Sequence, residues 1–233
     1  MYNPGVARQL RIVLTGAGGR MGRAVARAAG RDPRVCVAGL VGRASAGTLP
    51  GLLAAADILV DFSLPGPSLG FVRAAARARV PAVVGTTGFS AAERRALTAC
   101  ARRIAVFWSP NMSLGMNIMV ELAARAAAAL PDFDAAVLDV HHAAKADAPS
   151  GSARRLMEAM AASRRGRRVP AVSLRLGDVT GDHTVILAGP GERLELVHRA
   201  HSREVFARGA LAAALWTATK RPGFYGMRDL LGT

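Results

Sequence analysis

The chain has 233 residues, 51% of them hydrophobic, and carries 31 Lys and Arg against 16 Asp and Glu, a formal net charge of +15. That length suffices for one large core or two modest ones, and no apolar run approaches the roughly 20 residues needed to span a bilayer, so no membrane helix is expected. With its arginines scattered along helix faces and only 5% aromatic residues, the charge suits small anionic ligands and calls for no specific nucleic-acid partner.

Met1 to Gln9 has no apolar signal core, which points to a cytoplasmic protein. Leu10 to Thr15 reads as a buried strand, followed by the glycine turn Gly16-Ala17-Gly18-Gly19-Arg20-Met21-Gly22 and a helical pattern through Ala29. Further strands are expected at Val35 to Val41, Asp57 to Phe62, Pro81 to Gly85 and Ile104 to Trp108, with alanine-arginine helices between the later ones. Such alternation predicts an α/β, Rossmann-like doubly wound parallel sheet. After Asn111 the pattern changes to a long helix, Leu114 to Leu130, and short strands at Val137 to His141, Val172 to Leu176, His183 to Ala188 and Leu194 to His198. These predict a second, α+β domain with a mixed sheet. The basic run Arg164-Arg165-Gly166-Arg167-Arg168 reads as a solvated loop between helix and strand, and Cys36 and Cys100 as small buried hydrophobes. Val205 to Thr219 is helical, and Gly223 to Leu231 closes the chain.

The glycine turn carries the first chemical signal. Its glycines permit a tight bend and close approach of backbone to a pyrophosphate resting on the helix start. The third glycine comes one position late for G-x-G-x-x-G, but the turn stands between a first strand and a helix, where the motif has meaning. The second strand ends Leu40-Val41-Gly42-Arg43, without the acidic residue that an NAD-preferring site offers to the ribose. Arg43 is left to pair with a 2′-phosphate, so NADPH is expected over NADH. Gly85-Thr86-Thr87-Gly88 and Ser109-Pro110-Asn111-Met112 follow later strands and complete the cofactor cleft, because ligands of open α/β sheets bind outside the carboxyl ends of the strands.

The second signal is His141-His142-Ala143-Ala144-Lys145-Ala146-Asp147-Ala148-Pro149-Ser150-Gly151-Ser152. A lone double histidine is more often a hydrogen-bonded pair in an exposed loop. Here a lysine and a helix start flank it, and Lys145 is one of only two lysines in an arginine-rich chain. Imidazole titrates nearest neutrality, a lysine beside positive charge can be tuned to give up its proton, and amides at the start of a helix bind carboxylates. The constellation suits proton delivery to a small dianionic substrate.

Together with Val60-Asp61-Phe62-Ser63, Gly115 and Asn117, Arg175 with Gly177-Asp178, Gly181-Asp182-His183-Thr184, Gly191-Glu192, Leu194-Glu195, His198, Ser202-Arg203 and Met227-Arg228-Asp229, these blocks resemble the 4-hydroxy-tetrahydrodipicolinate (dihydrodipicolinate) reductase family over nearly the whole length. The resemblance implies reduction of 4-hydroxy-tetrahydrodipicolinate to tetrahydrodipicolinate in the diaminopimelate route to lysine. It also implies a cofactor domain of residues 1–112 and 204–233 and a substrate-binding domain of residues 113–203 that builds a homotetramer through its sheet. His141 is then the catalytic histidine and Lys145 the proton donor, with His142, Gly151 and Ser152 on a dicarboxylate cyclic imine. The cofactor falls to Gly16, Ala17, Gly18, Gly19, Arg20, Met21, Arg43, Gly85, Thr86, Thr87, Ser109, Pro110, Asn111 and Met112. No metal is expected. The chain departs from the family in three places: Gly42 where an acid is frequent, Asp139 where Glu is common, and Ser152 where Thr is. The stretch from Val41 to Asp57 is too short for the helix, strand and turn it normally holds, so one peripheral element is expected to be lost. Rival readings are an amino-acid or semialdehyde dehydrogenase, which gives no reason for the histidine-lysine signature; a basic cofactor-sensing or nucleic-acid-binding protein without catalysis, which predicts salt-steep binding and no turnover; and a paralogue reducing another small anionic imine or carbonyl, which the short 42–56 region leaves open.

Overall fold

A computed structural model describes residues 8–233. The chain divides into two compact units, one formed by residues up to Met112 with Phe206–Gly232, the other by Ser113–Val205.

The first unit is built on β1 (Leu10–Thr15), whose Ile12, Val13 and Leu14 are wholly buried, as a central parallel strand requires. α1 (Arg20–Ala29) follows the glycine turn and buries Ala24, Val25, Ala28 and Ala29 along one stripe. Then come β2 (Val35–Val41), a 3₁₀ turn (Ala46–Thr48), α2 (Leu49–Leu53), β3 (Ile58–Asp61), α3 (Pro65–Ala78), β4 (Ala82–Val84), α4 (Ala91–Cys100) and β5 (Ala105–Trp108). With β10 (Gly223–Tyr225) from the end of the chain, the sheet order is β10-β5-β4-β3-β1-β2, with every pair parallel. A dinucleotide fold commonly sets two strands outside the first, whereas only β2 lies there in this chain. The 42–56 connection is the reason: it holds two short helical turns, anchored by buried Leu49 and Leu53, before running directly into β3. The peripheral element expected to be lost is indeed missing. The direction of winding reverses between β1 and β3, so the crevice opens above Gly16 and Phe62.

The closing segment differs from the sequence reading, which left Gly223 to Leu231 without a strand. Gly223–Tyr225 forms β10 beside β5, and α8 (Met227–Leu231) follows. Three residues beginning with glycine carry little intrinsic strand signal. Tertiary packing supplies it: the Tyr225 ring meets Trp216 of α7 (Glu204–Thr217) edge-on at 5.3 Å, and Trp216 meets Phe107 of β5 at 6.2 Å.

The second unit is a four-stranded sheet in the order β7-β6-β8-β9, comprising β6 (Asp134–His141), β7 (Ala171–Arg175), β8 (Asp182–Gly189) and β9 (Glu192–Arg199). β6 and β7 run parallel and the other pairs antiparallel, the mixed sheet expected. α5 (Leu114–Ala129) and α6 (Gly151–Ser163) cover one face, and Met116, Met119, Leu156, Met160, Val185 and Leu187 fill the core between. Serines cap both helices: the hydroxyl of Ser113 accepts from Met116 N–H and that of Ser150 from Ala153 N–H. The basic run after α6 is only partly the solvated loop it resembled. Arg164 is buried and donates to the carbonyls of Phe133 and Pro131, while Arg165, Arg167 and Arg168 remain exposed.

Candidate active site

At the carboxyl ends of β1 and β3, Gly16 has a φ of 72°, and a Cβ there would fall 2.3 Å from the carbonyl oxygen of Phe62. Glycine alone satisfies both constraints. Gly22 lies within the first turn of α1, where a Cβ would come 2.2 Å from the Gly16 carbonyl oxygen. The late third glycine is therefore the one that lets helix and turn close-pack. Gly18 has open space where its side chain would be. The N-cap of α1 is Gly19, which supplies no side-chain cap, and no acid stands in the first turn. By contrast α4, α5 and α6 all have serine caps. An uncapped helix start with room above it and no negative charge fits a pyrophosphate. Gly18, Gly19 and Arg20 are exposed, as is Arg43 beyond the end of β2.

The later cofactor loops fare unevenly. Gly85 stands against the Phe62 ring, and Thr87 and Pro110 are exposed. Thr86, Ser109 and Met112 are instead buried; the Thr86 hydroxyl donates to Asp61 and that of Ser109 to the carbonyl of Asn111. In these three the side chain serves the loop, leaving backbone to face a ligand.

The sequence reading gave no role to the group that ties these loops together. Asp61, at the end of β3, is wholly buried and accepts from the hydroxyls of Thr15 at 2.6 Å, Ser63 at 2.6 Å, Ser68 at 2.5 Å and Thr86 at 2.7 Å. Thr15 precedes Gly16 and Thr86 follows Gly85, so one carboxylate braces both loops. A charged residue at the end of an otherwise apolar strand was the available signal.

In the second unit β6 alternates inward residues Ala135, Val137, Asp139 and His141, apolar until the last two. Cross-strand register sets Ser173, Asp139, His183 and His198 in one row over β7, β6, β8 and β9. Asp139 is wholly buried. One carboxylate oxygen is 2.9 Å from Nδ1 of His141 and 3.4 Å from Nε2 of His183; the other accepts from Ser150 N–H at 2.9 Å, the Ser173 hydroxyl at 3.1 Å and the Arg175 guanidinium at 3.2 Å. Ser150 Oγ lies 3.2 Å from Nε2 of His183, and Ser113 Oγ 3.2 Å from Nε2 of His198. The row thus holds the caps of both helices. Burial works against the Asp139 charge, but the bonds from His183, Ser150 and Arg175 outweigh it and keep the carboxyl far below its usual range. Asp139, His141 and His183 lie near enough together to hold a cation. Arg175 already brings positive charge to that carboxylate.

The expected catalytic residues converge here, with corrections. His141 does not titrate near neutrality: burial, with the charges of His183, Lys145 and Arg175, lowers it to about 4 against the pull of Asp139. Lys145 is ion-paired with Asp147, so its partner is a carboxylate rather than the further cation the sequence suggested. Arg154 shares that carboxylate at 3.8 Å, and Arg175 donates to the Asp147 carbonyl, fastening the loop to β7. Gly151 and Ser152 head α6, next to the Ser150 that Asp139 holds. His142 is half-buried, and its side chain has no hydrogen bond or ion pair with the described residues. Asp139, Arg175, His183 and His198 had received no role from the sequence, although a charge at an inward strand position marks the first of them.

The family model for the dihydrodipicolinate reductase N-terminus matches residues 10–112, and that for the dihydrodipicolinate reductase C-terminus matches residues 115–231. Among curated relatives, a 4-hydroxy-tetrahydrodipicolinate reductase of Rhodopseudomonas palustris (strain BisB18) is 43% identical over 265 residues, covering 96% of this chain and 97% of the relative. That of Xanthomonas euvesicatoria pv. vesicatoria (strain 85-10) is 43% identical over 234 residues, covering 95% and 98%. The first alignment is longer than this chain, so that relative carries segments absent here; the second has nearly this chain's length. Among solved structures, a dipicolinate-bound dihydrodipicolinate reductase from Paenisporosarcina sp. TG-14 superposes with a TM-score of 0.82 at 20% identity, covering 95% of this chain and 99% of that one. A C. glutamicum DAP dehydrogenase in complex with DAP shares the fold more distantly, with a TM-score of 0.64 at 12% identity over 96% of this chain and 95% of that one. With the two family models together matching residues 10–112 and 115–231 and relatives above 40% identity, the chain belongs to the dihydrodipicolinate reductase family.

Proposed function

We propose that the chain reduces 4-hydroxy-tetrahydrodipicolinate to tetrahydrodipicolinate, using NADPH in preference to NADH. The observation that carries this is the convergence on Asp139 of His141 and the start of α6, with Lys145 on the loop between them. The 4-hydroxyl of the substrate leaves as water to give a cyclic conjugated imine bearing two carboxylates, and the reduced nicotinamide, when bound, would supply a hydride to an electron-poor carbon of it. Lys145 gives the proton that quenches the displaced electrons. His141, uncharged near neutrality, orients the ring, while the amides of Gly151 and Ser152 hold one carboxylate and His142 meets the other. In the first unit the uncapped start of α1 takes the pyrophosphate, and Arg43 meets a 2′-phosphate through charge-assisted hydrogen bonds.

The face of the second sheet turned away from α5 and α6 supports a homotetramer. Val172, Leu174, Leu176 and Val197 on it are 59%, 41%, 54% and 45% exposed, and a second copy of the chain is the occupant proposed. The functional test is oxidation of NADPH and of NADH by freshly generated 4-hydroxy-tetrahydrodipicolinate. Turnover with a higher kcat/KM for NADPH is expected. No turnover refutes the reaction, and a preference for NADH refutes the role of Arg43.

A further inference from the structure

We propose that Asp139 is the positioning residue of the substrate site: one buried carboxylate fixes the proton of His141 on Nδ1, leaving Nε2 as an acceptor, and through Ser150 N–H sets the start of α6 in register with that imidazole. The inference rests on the assignment of His141 and the α6 start to the substrate site under the proposed function.

The argument begins with the oxygen shared by two rings. Asp139 Oδ1 stands 2.9 Å from His141 Nδ1 and 3.4 Å from His183 Nε2; the nearer approach is bent from ideal hydrogen-bond geometry yet too close for facing lone pairs. With the carboxylate ionised, His141 Nδ1 must present a proton. His141 therefore carries N–H at Nδ1 and a lone pair at Nε2. That lone pair lies beside Gly181, where a Cβ would fall 2.9 Å from Nε2, so the absence of a side chain at 181 keeps this edge of the ring clear.

Asp139 Oδ2 does the second task. It accepts from Ser150 N–H at 2.9 Å, while the Ser173 hydroxyl and Arg175 hold the same oxygen from β7. Ser150 is the N-cap, so its orientation sets that of the first-turn amides of α6. Imidazole and anion-binding helix start are thereby referenced to one group with no freedom of its own, since the side chain is wholly buried and its Oδ2 is held by three donors. His183 serves both parts, reaching Oδ1 with one nitrogen that is also 3.2 Å from Ser150 Oγ. At metal centres, groups that hold a ligating histidine through its far nitrogen contribute about one to two orders of magnitude to affinity or activity, and a similar scale is expected for Asp139.

The test combines spectroscopy with two variants. Nitrogen-15 NMR of the folded wild-type protein should show His141 as the Nδ1–H tautomer near neutral pH; the Nε2–H tautomer overturns the proposal. In Asp139→Asn the amide can donate, so the His141 proton should move to Nε2, with kcat falling roughly 10- to 100-fold while the KM for the cofactor stays within about twofold. Asp139→Glu should restore turnover to within about tenfold of wild type with the Nδ1–H tautomer retained, which a merely structural role would not link to turnover. An Asn variant that turns over like wild type, or a Glu variant no better than Asn, overturns the inference. Should the Asn variant fail to fold, the tautomer in the wild type still decides. A wild-type protein that does not reduce the proposed substrate refutes the functional reading alone, because the tautomer is read without substrate.

Discussion

Replacement of Asp61 by alanine separates the bracing of the cofactor loops from the rest of the fold. The wild-type carboxylate takes four hydroxyl donors at 2.5 to 2.7 Å in a site with no exposure. A buried donor left without an acceptor costs about 1–3 kcal/mol. Because the hydroxyls of Thr15, Ser63, Ser68 and Thr86 can rotate in search of neighbouring carbonyls, the low end applies, giving about 4 kcal/mol in all. For a chain of this size that is a fall in Tm of roughly 8–16 °C. Asp61→Asn is gentler: one oxygen remains, and the two donors facing the new amide must turn to accept from it. A loss of about 1.4 kcal/mol in loop rigidity then raises the cofactor KM about tenfold. Thermal melts and steady-state kinetics with varied cofactor supply both readings. Should Asp61→Ala melt within about 2 °C of wild type, or should Asp61→Asn bind cofactor normally, the bracing account is wrong.

Lys145→Ala should reduce kcat by about 10²–10⁴-fold with little change in cofactor KM, measured at saturating substrate; near-normal turnover removes it as proton donor. Stability should fall in mild acid. The folded pKa of His141, about 4, lies below its unfolded 6.5, so its contribution is complete above pH 6.5 and is lost as pH drops towards 4. The difference corresponds to about 3 kcal/mol. His198, lowered chiefly by burial, adds in the same direction, whereas Asp139, held below the usual carboxylate range, gives way only at lower pH. Denaturant unfolding followed from pH 7 to 4.5 should show this loss, and His141→Gln should flatten it; a wild-type stability indifferent to pH over that range contradicts the burial of a neutral imidazole. Leu174→Lys places a charge on the outer face of the second sheet, and light scattering should report smaller assemblies than wild type; an unchanged mass argues against that face as the interface.

Most of the architecture is legible in the chain because its signals are local. Unbroken apolar runs such as Ile12-Val13-Leu14 and Ile58-Leu59-Val60 mark buried parallel strands, and the alternation around Val185 and Leu187 marks a sheet covered on one face. The short connection after Val41 reports its missing strand through length alone. What escapes the sequence is non-local. β10 exists through aromatic packing between residues far apart in the chain, and Arg164 is buried because carbonyls of Pro131 and Phe133 wait for it. The site follows the same division. The run from His141 to Ser152 announces the imidazole, the lysine and the helix start, but Asp139, Arg175 and His183 join it from three strands through cross-strand register. Burial of His141, with the charges of His183 and Arg175 and against the pull of Asp139, reverses the expectation of a group poised to titrate near neutrality.

The most direct test is a crystal structure of the protein with NADP⁺ and dipicolinate, a planar dicarboxylate that resembles the proposed substrate. The account predicts one carboxylate on the amides of Gly151 and Ser152, and the Lys145 ammonium drawn from Asp147 to within about 3 Å of the ligand. A ligand bound away from α6, or Lys145 still paired with Asp147 and turned from the ring, contradicts it.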